Sequence, residues 1–384
     1  MQKKEAHKIF IAIIKSAIKN EKIAPSVKEK LTDEFLRALF KLAEFHDLAH
    51  VVCYGLKRNG ISVPEEYLKR ENFAKYRYGI NDYESGRIKE IFNEEQIPHI
   101  ILKGERIRTL YSEPYLRQSC DIDVLVKRED LKRAGEIIEK QFGAEAGEEQ
   151  QHDFAYLTDS GVSIELHFCF GDKYGSDRLL ELTWNNLEVV DGKYGFKMAD
   201  GLFNAYLIFH AANHFRNGGC GVKTFIDFYM LSSKCNFSAE IGKDILQEIG
   251  LYEFAKNIYS LSNVWFNDAE SNETLEAMEE FIFAGGTYGT LAQKAQVDNA
   301  KSGGNYYKSR IFLPRSEMKL RYKKLEKYPF LLPYYTLKRW FSLLSKKKRK
   351  AIKAEMDYKN SVSSERMQKT EQMLKNIGLL LENS

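Results

Sequence analysis

A chain of 384 residues is too long for one small domain and fits two or three folding units. Hydrophobic residues at 43% and mixed-sign charge at 29% exclude a disordered chain, and no uninterrupted apolar run of ~18 residues is present to span a membrane. The net charge of +4 is too small to argue for a nucleic-acid partner by itself.

The first 95 residues read as helical. The apolar run near the N-terminus is interrupted by Lys15 and lacks a small-residue cleavage site, so no signal peptide is expected. Pro25-Ser26 followed by Glu29 has the pattern of a capping box and predicts a helix start there. Phe35, Leu36, Leu39, Phe40 and Leu42 recur at helical spacing, and Phe45, Leu48, Val51, Val52 and Leu56 continue the stripe to Asn59-Gly60. A further helix is predicted over Tyr76 to Asn93. The simplest account of this region is a helical bundle packed on the domain that follows.

The texture changes at Ile97-Pro98. His99 to Lys103 is a short β-rich run ending at Gly104, and a helix-like stretch over Glu105 to Tyr111 follows. Asp121-Ile122-Asp123-Val124-Leu125-Val126 alternates and then turns apolar, as a strand does when one end is exposed. A helix is predicted over Arg128 to Phe142, closed by Gly143. Phe154–Leu157 and Val162–Phe168 read as a hairpin turned at Thr158 to Gly161, and Leu187–Val190 with Gly195–Met198 as another strand pair. From Asp200, a plausible N-cap, the chain is helical again over Gly201 to Phe215, Val222 to Ser232 and Ser238 to Ile249. Pro314, Pro329 and Pro333 argue against one long helix near the C-terminus. These elements predict a mixed sheet over residues 96–199, with helical regions at 1–95 and 200–300 and a basic, aromatic-rich region at 301–384.

The chemistry concentrates in the sheet. Residues i and i+2 of a strand share a face, so Asp121 and Asp123 project together. Paired carboxylates repel unless a cation intervenes, and hard oxygen ligands suit Mg²⁺. On that premise, amide substitutions here are expected to leave metal-free stability unchanged or raised. Glu165, on a neighbouring strand, is the expected third ligand of a two-metal site, the kind that clamps both oxygens of an in-line phosphoryl displacement. The Lys103-Gly104 turn before a helix is expected to bring bare backbone amides and a positive charge to a triphosphate. Arg117 is placed to grip phosphate with its planar fork, and His167, two residues after Glu165, is an active-site neighbour.

ILKGERIRTLYSEPYLRQSCDIDVLV, SIELHF and HAANHFRNGGCGVKTFIDFYML resemble blocks of the uncharacterised nucleotidyltransferase family, a branch of the DNA polymerase β-like superfamily. The resemblance runs over about residues 35 to 235. It implies an α+β fold with a nucleotidyltransferase-type mixed sheet and flanking helical domains. It also implies Asp121, Asp123 and Glu165 as catalytic metal ligands, Mg²⁺ as cofactor, and nucleotidyl transfer from an NTP such as ATP to a hydroxyl acceptor that the motifs do not name. Lys103-Gly104-Glu105 departs from the superfamily's usual Gly-Gly or Gly-Ser, in the loop that shapes the nucleotide site.

Other groups have competing readings. His210 and His214, at i and i+4, suit a metal pair without a third ligand, a lining of the nucleotide cleft, or packing. Asp227, within the apolar run Phe225 to Tyr229, suits either pairing with Lys223 or Arg216 or a role at the cleft. Five cysteines without a CxxC pair suggest neither a disulfide framework nor a zinc site, which points to a reducing, cytoplasmic compartment. Residues 304–354 carry 16 Lys or Arg against two acids, with aromatics interleaved. This segment suits a solvated surface, a peripheral contact with an anionic membrane, or RNA. Two other functions fit the chain: a non-catalytic nucleotide- or partner-binding protein of the same fold, and an RNA-directed nucleotidyltransferase.

Overall fold

The computed structural model describes residues 3–149, 153–171, 175–301, 313, 315, 318, 322, 324–343 and 363–380. The fold is α+β with flanking helices. Seven strands form one mixed sheet: β1 (His99–Ile101), β2 (Asp121–Val126), β3 (Glu145–Glu149), β4 (Asp153–Leu157), β5 (Ser163–His167), β6 (Leu187–Asp191) and β7 (Gly195–Met198). Their order is β3-β4-β5-β2-β1-β7-β6. The pairs β2–β5 and β1–β7 are parallel, and the others are antiparallel.

Contacts divide the chain into two compact units, Met1–Ala211 with Val222–Ser271, and Ala212–Gly221 with Asn272–Ser384. The sheet belongs to the first. One of its faces is apolar by alternation: Ile122, Val124 and Val126 of β2 and Ile164 and Leu166 of β5 pack with Ile88, Phe92, Ala134, Ile138 and Phe142. These last come from the helices Glu65–Glu94 and Leu131–Phe142. Gly143, at φ 56°, closes the second helix in the left-handed conformation that glycine adopts without penalty.

The helical start of the chain differs from its sequence pattern in two ways. Ser26 caps nothing. Pro25–Lys28 is a single turn, and the working cap is Thr32, whose hydroxyl accepts from Phe35 N at 3.2 Å to open Asp33–Phe45. The apolar stripe then breaks at Asp47, φ 53°, into a second helix, Ala49–Arg58. That helix lies close on Lys3–Lys19: a Cβ at Gly55 would stand 2.7 Å from the Ile13 carbonyl oxygen. Glu65–Glu94 is one helix of 30 residues rather than the shorter one expected. Ser238 to Ile249 is helical only over Lys243–Glu248.

In the second unit, Glu273–Gly285, Leu291–Lys301 and Ser364–Asn376 are helices, the first and last capped by Asn272 and Ser363. Thr370 donates to Gln296 Oε1 at 2.8 Å, and Met373 and Leu374 are buried. Much of the basic segment 304–354 lies outside the described residues. Of the part described, Leu332–Leu343 is a helix that exposes Tyr334, Leu337 and Phe341, with Phe330 exposed just before it. Among the described residues no helix is long and apolar enough to cross a membrane, and all five cysteines are free.

Candidate active site

The strand β2 reads Asp-Ile-Asp-Val-Leu-Val, and its even positions enter the core just described. Its odd positions face the other way, with Leu125 buried beneath the acids. The parallel register with β5 sets Asp121 opposite Ser163, Asp123 opposite Glu165 and Leu125 opposite His167. Partners in register share a face, so the two strands carry Asp121, Asp123, Glu165 and His167 on one surface. Ligand atoms of Asp123, Glu165 and His167 lie within 4.8 Å of one another, close enough to hold a metal ion. Asp121 stands one strand step away and takes a hydrogen bond from Ser119 Oγ at 2.7 Å.

Asp123 does not face a bare neighbour. Lys103 Nζ is 3.0 Å from its Oδ2, and His167 Nε2 is 2.9 Å from its Oδ1 and 3.6 Å from Glu165 Oε2. Burial alone would raise the Asp123 carboxyl, but Lys103 and the His167 hydrogen bond hold it well below the usual carboxylate range. Burial opposes charge on His167 too. Its hydrogen bonds to Asp123 and Glu165 outweigh that and push it up to about 9, so its Nε2–H donates as an imidazolium. The mutual repulsion expected from sequence is therefore already met by two cations from this chain.

Lys103 also reaches His210 Nε2, at 3.3 Å. His210 thus lines the site, and the metal-competent group among the described residues includes neither it nor His214. Gly104 opens a five-residue helix, Gly104–Arg108, but its amide is spent on the Leu102 carbonyl. The residue offers room rather than a donor.

Arg117, expected to face phosphate, is buried and committed to Asp227. Its Nε and Nη2 meet the carboxylate at 3.0 and 2.9 Å, and Tyr111 donates to Asp227 Oδ1 at 2.7 Å. Asp227 pairs with Arg117 and Tyr111 in place of Lys223 or Arg216. Lys223 instead donates to the Gln118 carbonyl.

That last bond is one of a set. In the loop leading into β2, His50 Nε2 donates to Leu116 O at 3.0 Å, Asn81 to Ser119 O at 2.8 Å and Arg77 to Cys120 O at 2.7 Å. Arg77 also reaches Gly161 O, at the β4–β5 turn, at 2.9 Å. The helices before the sheet thus position the first acid.

Three groups at the site escaped the sequence reading. Ser119 and Tyr206 carry no motif of their own. Tyr206 is buried against Phe170, with ring centroids 4.9 Å apart, and burial followed by the acid charges raises its hydroxyl. Arg108 had a signal: it is four residues from Gly104, one helical turn, which returns it to the same face.

An α+β core that sets a same-face acid pair beside a glycine turn has the build of a nucleotidyltransferase. Residues 33–267 match the profile of the family described as uncharacterised nucleotidyltransferase, and the chain belongs to that family. No curated protein and no solved structure matches it.

Proposed function

We propose that the protein transfers a nucleotidyl group from an NTP to a hydroxyl acceptor, with Mg²⁺ held by Asp121, Asp123 and Glu165. The observation that carries this is the β2–β5 register, which puts Asp123 beside Glu165 and Asp121 on the same face. Family membership supports the reaction class. The donor set suits a divalent cation: Asp123, Glu165 and His167 place ligand atoms within 4.8 Å of one another, and Asp121 adds a carboxylate on the same face one strand step away. Bound there, the metal would neutralise developing charge on the phosphoryl oxygens. Lys103, once parted from Asp123, is in reach to bind the donor's phosphate. Glu165, the more exposed acid of the in-register pair, is in reach to take the acceptor's proton.

The test is calorimetry of each NTP with and without Mg²⁺. Binding is expected only with the metal, because Lys103 stays engaged by Asp123 until a cation takes that carboxylate; equal affinity in EDTA would rule the reading out.

A second reading, a non-catalytic nucleotide-binding protein, draws on the Lys103 and His167 pairs with Asp123, which balance the site without metal. Transfer of radiolabel from an NTP into cell extract would exclude it. A further contact, with an anionic membrane surface, is supported by the exposed aromatic side chains of residues 330–341 beside the basic block 346–353.

A further inference from the structure

The second unit holds a cleft of its own. It lies between the helices Glu273–Gly285, Leu291–Lys301 and Ser364–Asn376, and its volume is about 380 Å³ with the open mouth included. That is room for at most roughly a dozen water-sized groups at ~30 Å³ each. The first and last helices run antiparallel and are tied by Lys369 to Glu280 at 2.6 Å and by Asn376 to Thr274 at 3.1 Å. Each lines the cleft with a stripe at i, i+3, i+4 and i+7, from Ala277 to Ala284 on one helix and from Arg366 to Met373 on the other. The space exists because alanine stands at both ends of the first stripe, where closely packed helices carry larger side chains.

The lining is unevenly matched. Phe281 and Met373 are apolar walls, both buried. Gln293 is engaged at both ends, donating to the Phe281 carbonyl and accepting from Thr290 N at 3.3 Å. Gln296 is different. It is 3% exposed, its Oε1 accepts from Thr370 at 2.8 Å, and its Nε2 donates to no group among the described residues. An N–H so sheltered is costly without an acceptor. Arg366 stands exposed at the mouth, with no ion pair among the described residues, while Glu280 is held by Lys369. Two cations therefore face one carboxylate, and the lining is positive by one charge. Arg366 and Thr370 are one helical turn apart, so the carboxamide that Thr370 holds is near the guanidinium.

We propose that this cleft binds a small carboxylate with an apolar body. The planar fork of Arg366 suits a carboxylate, Gln296 supplies a further donor, and Phe281 and Met373 receive the body. One net positive charge and apolar walls favour such a monoanion over phosphate. The cleft residues lie outside the family match over 33–267, so the site stands or falls independently of nucleotidyl transfer.

The probe is phenylacetate, titrated into the full chain with isotope-labelled methionine methyl groups. The Met373 resonance is assigned by its loss in Met373→Leu. Phenylacetate is expected to shift it saturably, because an aromatic ring beside the methyl changes its local field. Phenylacetamide, of the same shape without the charge, should bind about tenfold more weakly or worse, and inorganic phosphate should leave the resonance in place. Arg366→Met should weaken phenylacetate binding about tenfold, the lower end for losing a charged hydrogen-bonding partner. Its melting temperature should be that of wild type, since the side chain is exposed. Arg366→Lys should recover part of the loss as a point charge. Ala277→Leu, which fills the cleft and touches none of its polar groups, should abolish binding. A wild type whose Met373 resonance ignores phenylacetate overturns the proposal. So does equal affinity for phenylacetamide, or binding that survives both Arg366→Met and Ala277→Leu.

Discussion

Asp123 is the residue on which the charge balance of the site turns. It is buried, and Lys103 and His167 hold it ionised. Asp123→Asn should abolish transfer, at about a thousandfold for the ~4 kcal/mol of transition-state stabilisation that a metal ligand supplies. The same substitution removes the partner of two sheltered cations. The metal-free protein should therefore melt lower, by the order of 3 kcal/mol seen when one member of a buried pair is deleted. This reverses, at Asp123, the expectation that stability holds or rises. Asp121→Asn keeps the earlier expectation, since no ion pair among the described residues includes Asp121. Melts in EDTA would separate the two. The pH dependence follows from His167. Its folded value, about 9, lies above the unfolded one, so its contribution is complete below about 6.5 and is lost as pH rises through about 9. Chemical denaturation of metal-free protein between pH 6 and 10 should show that decline in wild type and a flatter profile in His167→Gln.

At the scale of elements, the loop before β2 is held by its carbonyls. Asn81, buried on the helix Glu65–Glu94, donates to Ser119 O, and Ser119 in turn donates to Asp121. Asn81→Ala leaves that carbonyl unsatisfied, a cost of roughly 1–3 kcal/mol, and frees the loop that aims the first acid. Transfer should fall while the far-ultraviolet circular dichroism spectrum stays that of wild type; loss of both would indicate general unfolding. Which elements were legible follows from their patterns. The strand β2 and the β4–β5 hairpin were readable because alternation and a Gly-containing turn are local signals. β3, Glu145-Ala-Gly-Glu-Glu149, has no apolar alternation, and its strand character comes from pairing with β4. The long helix buries Glu71, Asn81 and Glu84 as well as apolar groups, so hydrophobic spacing marked only its second half. The acids were legible for the same local reason as their strands. Their neutralisation was not: Arg117 finds Asp227 across 110 residues and Lys103 finds Asp123 through strand pairing, contacts that exist only after folding.

For the whole molecule, charge is segregated along the chain: the basic segment 304–354 sits within a sequence that is otherwise acidic on balance. Deleting everything from Asn305 onward is a poor test of that segment. The deletion would remove Ser364–Asn376, whose Thr370, Met373 and Leu374 are buried against the rest of the second unit. Charge replacement is cleaner. Lys346, Lys347, Lys348, Arg349 and Lys350 changed together to Gln remove five positive charges and leave the sequence of Leu332–Leu343 untouched. Each Lys or Arg near an anionic bilayer contributes roughly 1 kcal/mol, so the variant should lose well over a hundredfold in affinity for phosphatidylserine-containing vesicles. Binding to pure phosphatidylcholine vesicles should be weak for both proteins. The wild-type interaction should also fall with salt, as electrostatics screened over ~10 Å at 0.1 M requires. Tyr334, Leu337 and Phe341 lie at i, i+3 and i+7 of one helix and supply an apolar contribution of a different kind. Phe330→Ser with Phe341→Ser should weaken vesicle sedimentation without changing its salt slope. NTP affinity should be unchanged in both variants. Wild-type protein that retards RNA in a gel yet ignores anionic vesicles would assign the basic segment to RNA, and protein that binds neither at low salt would leave it as a solvated surface.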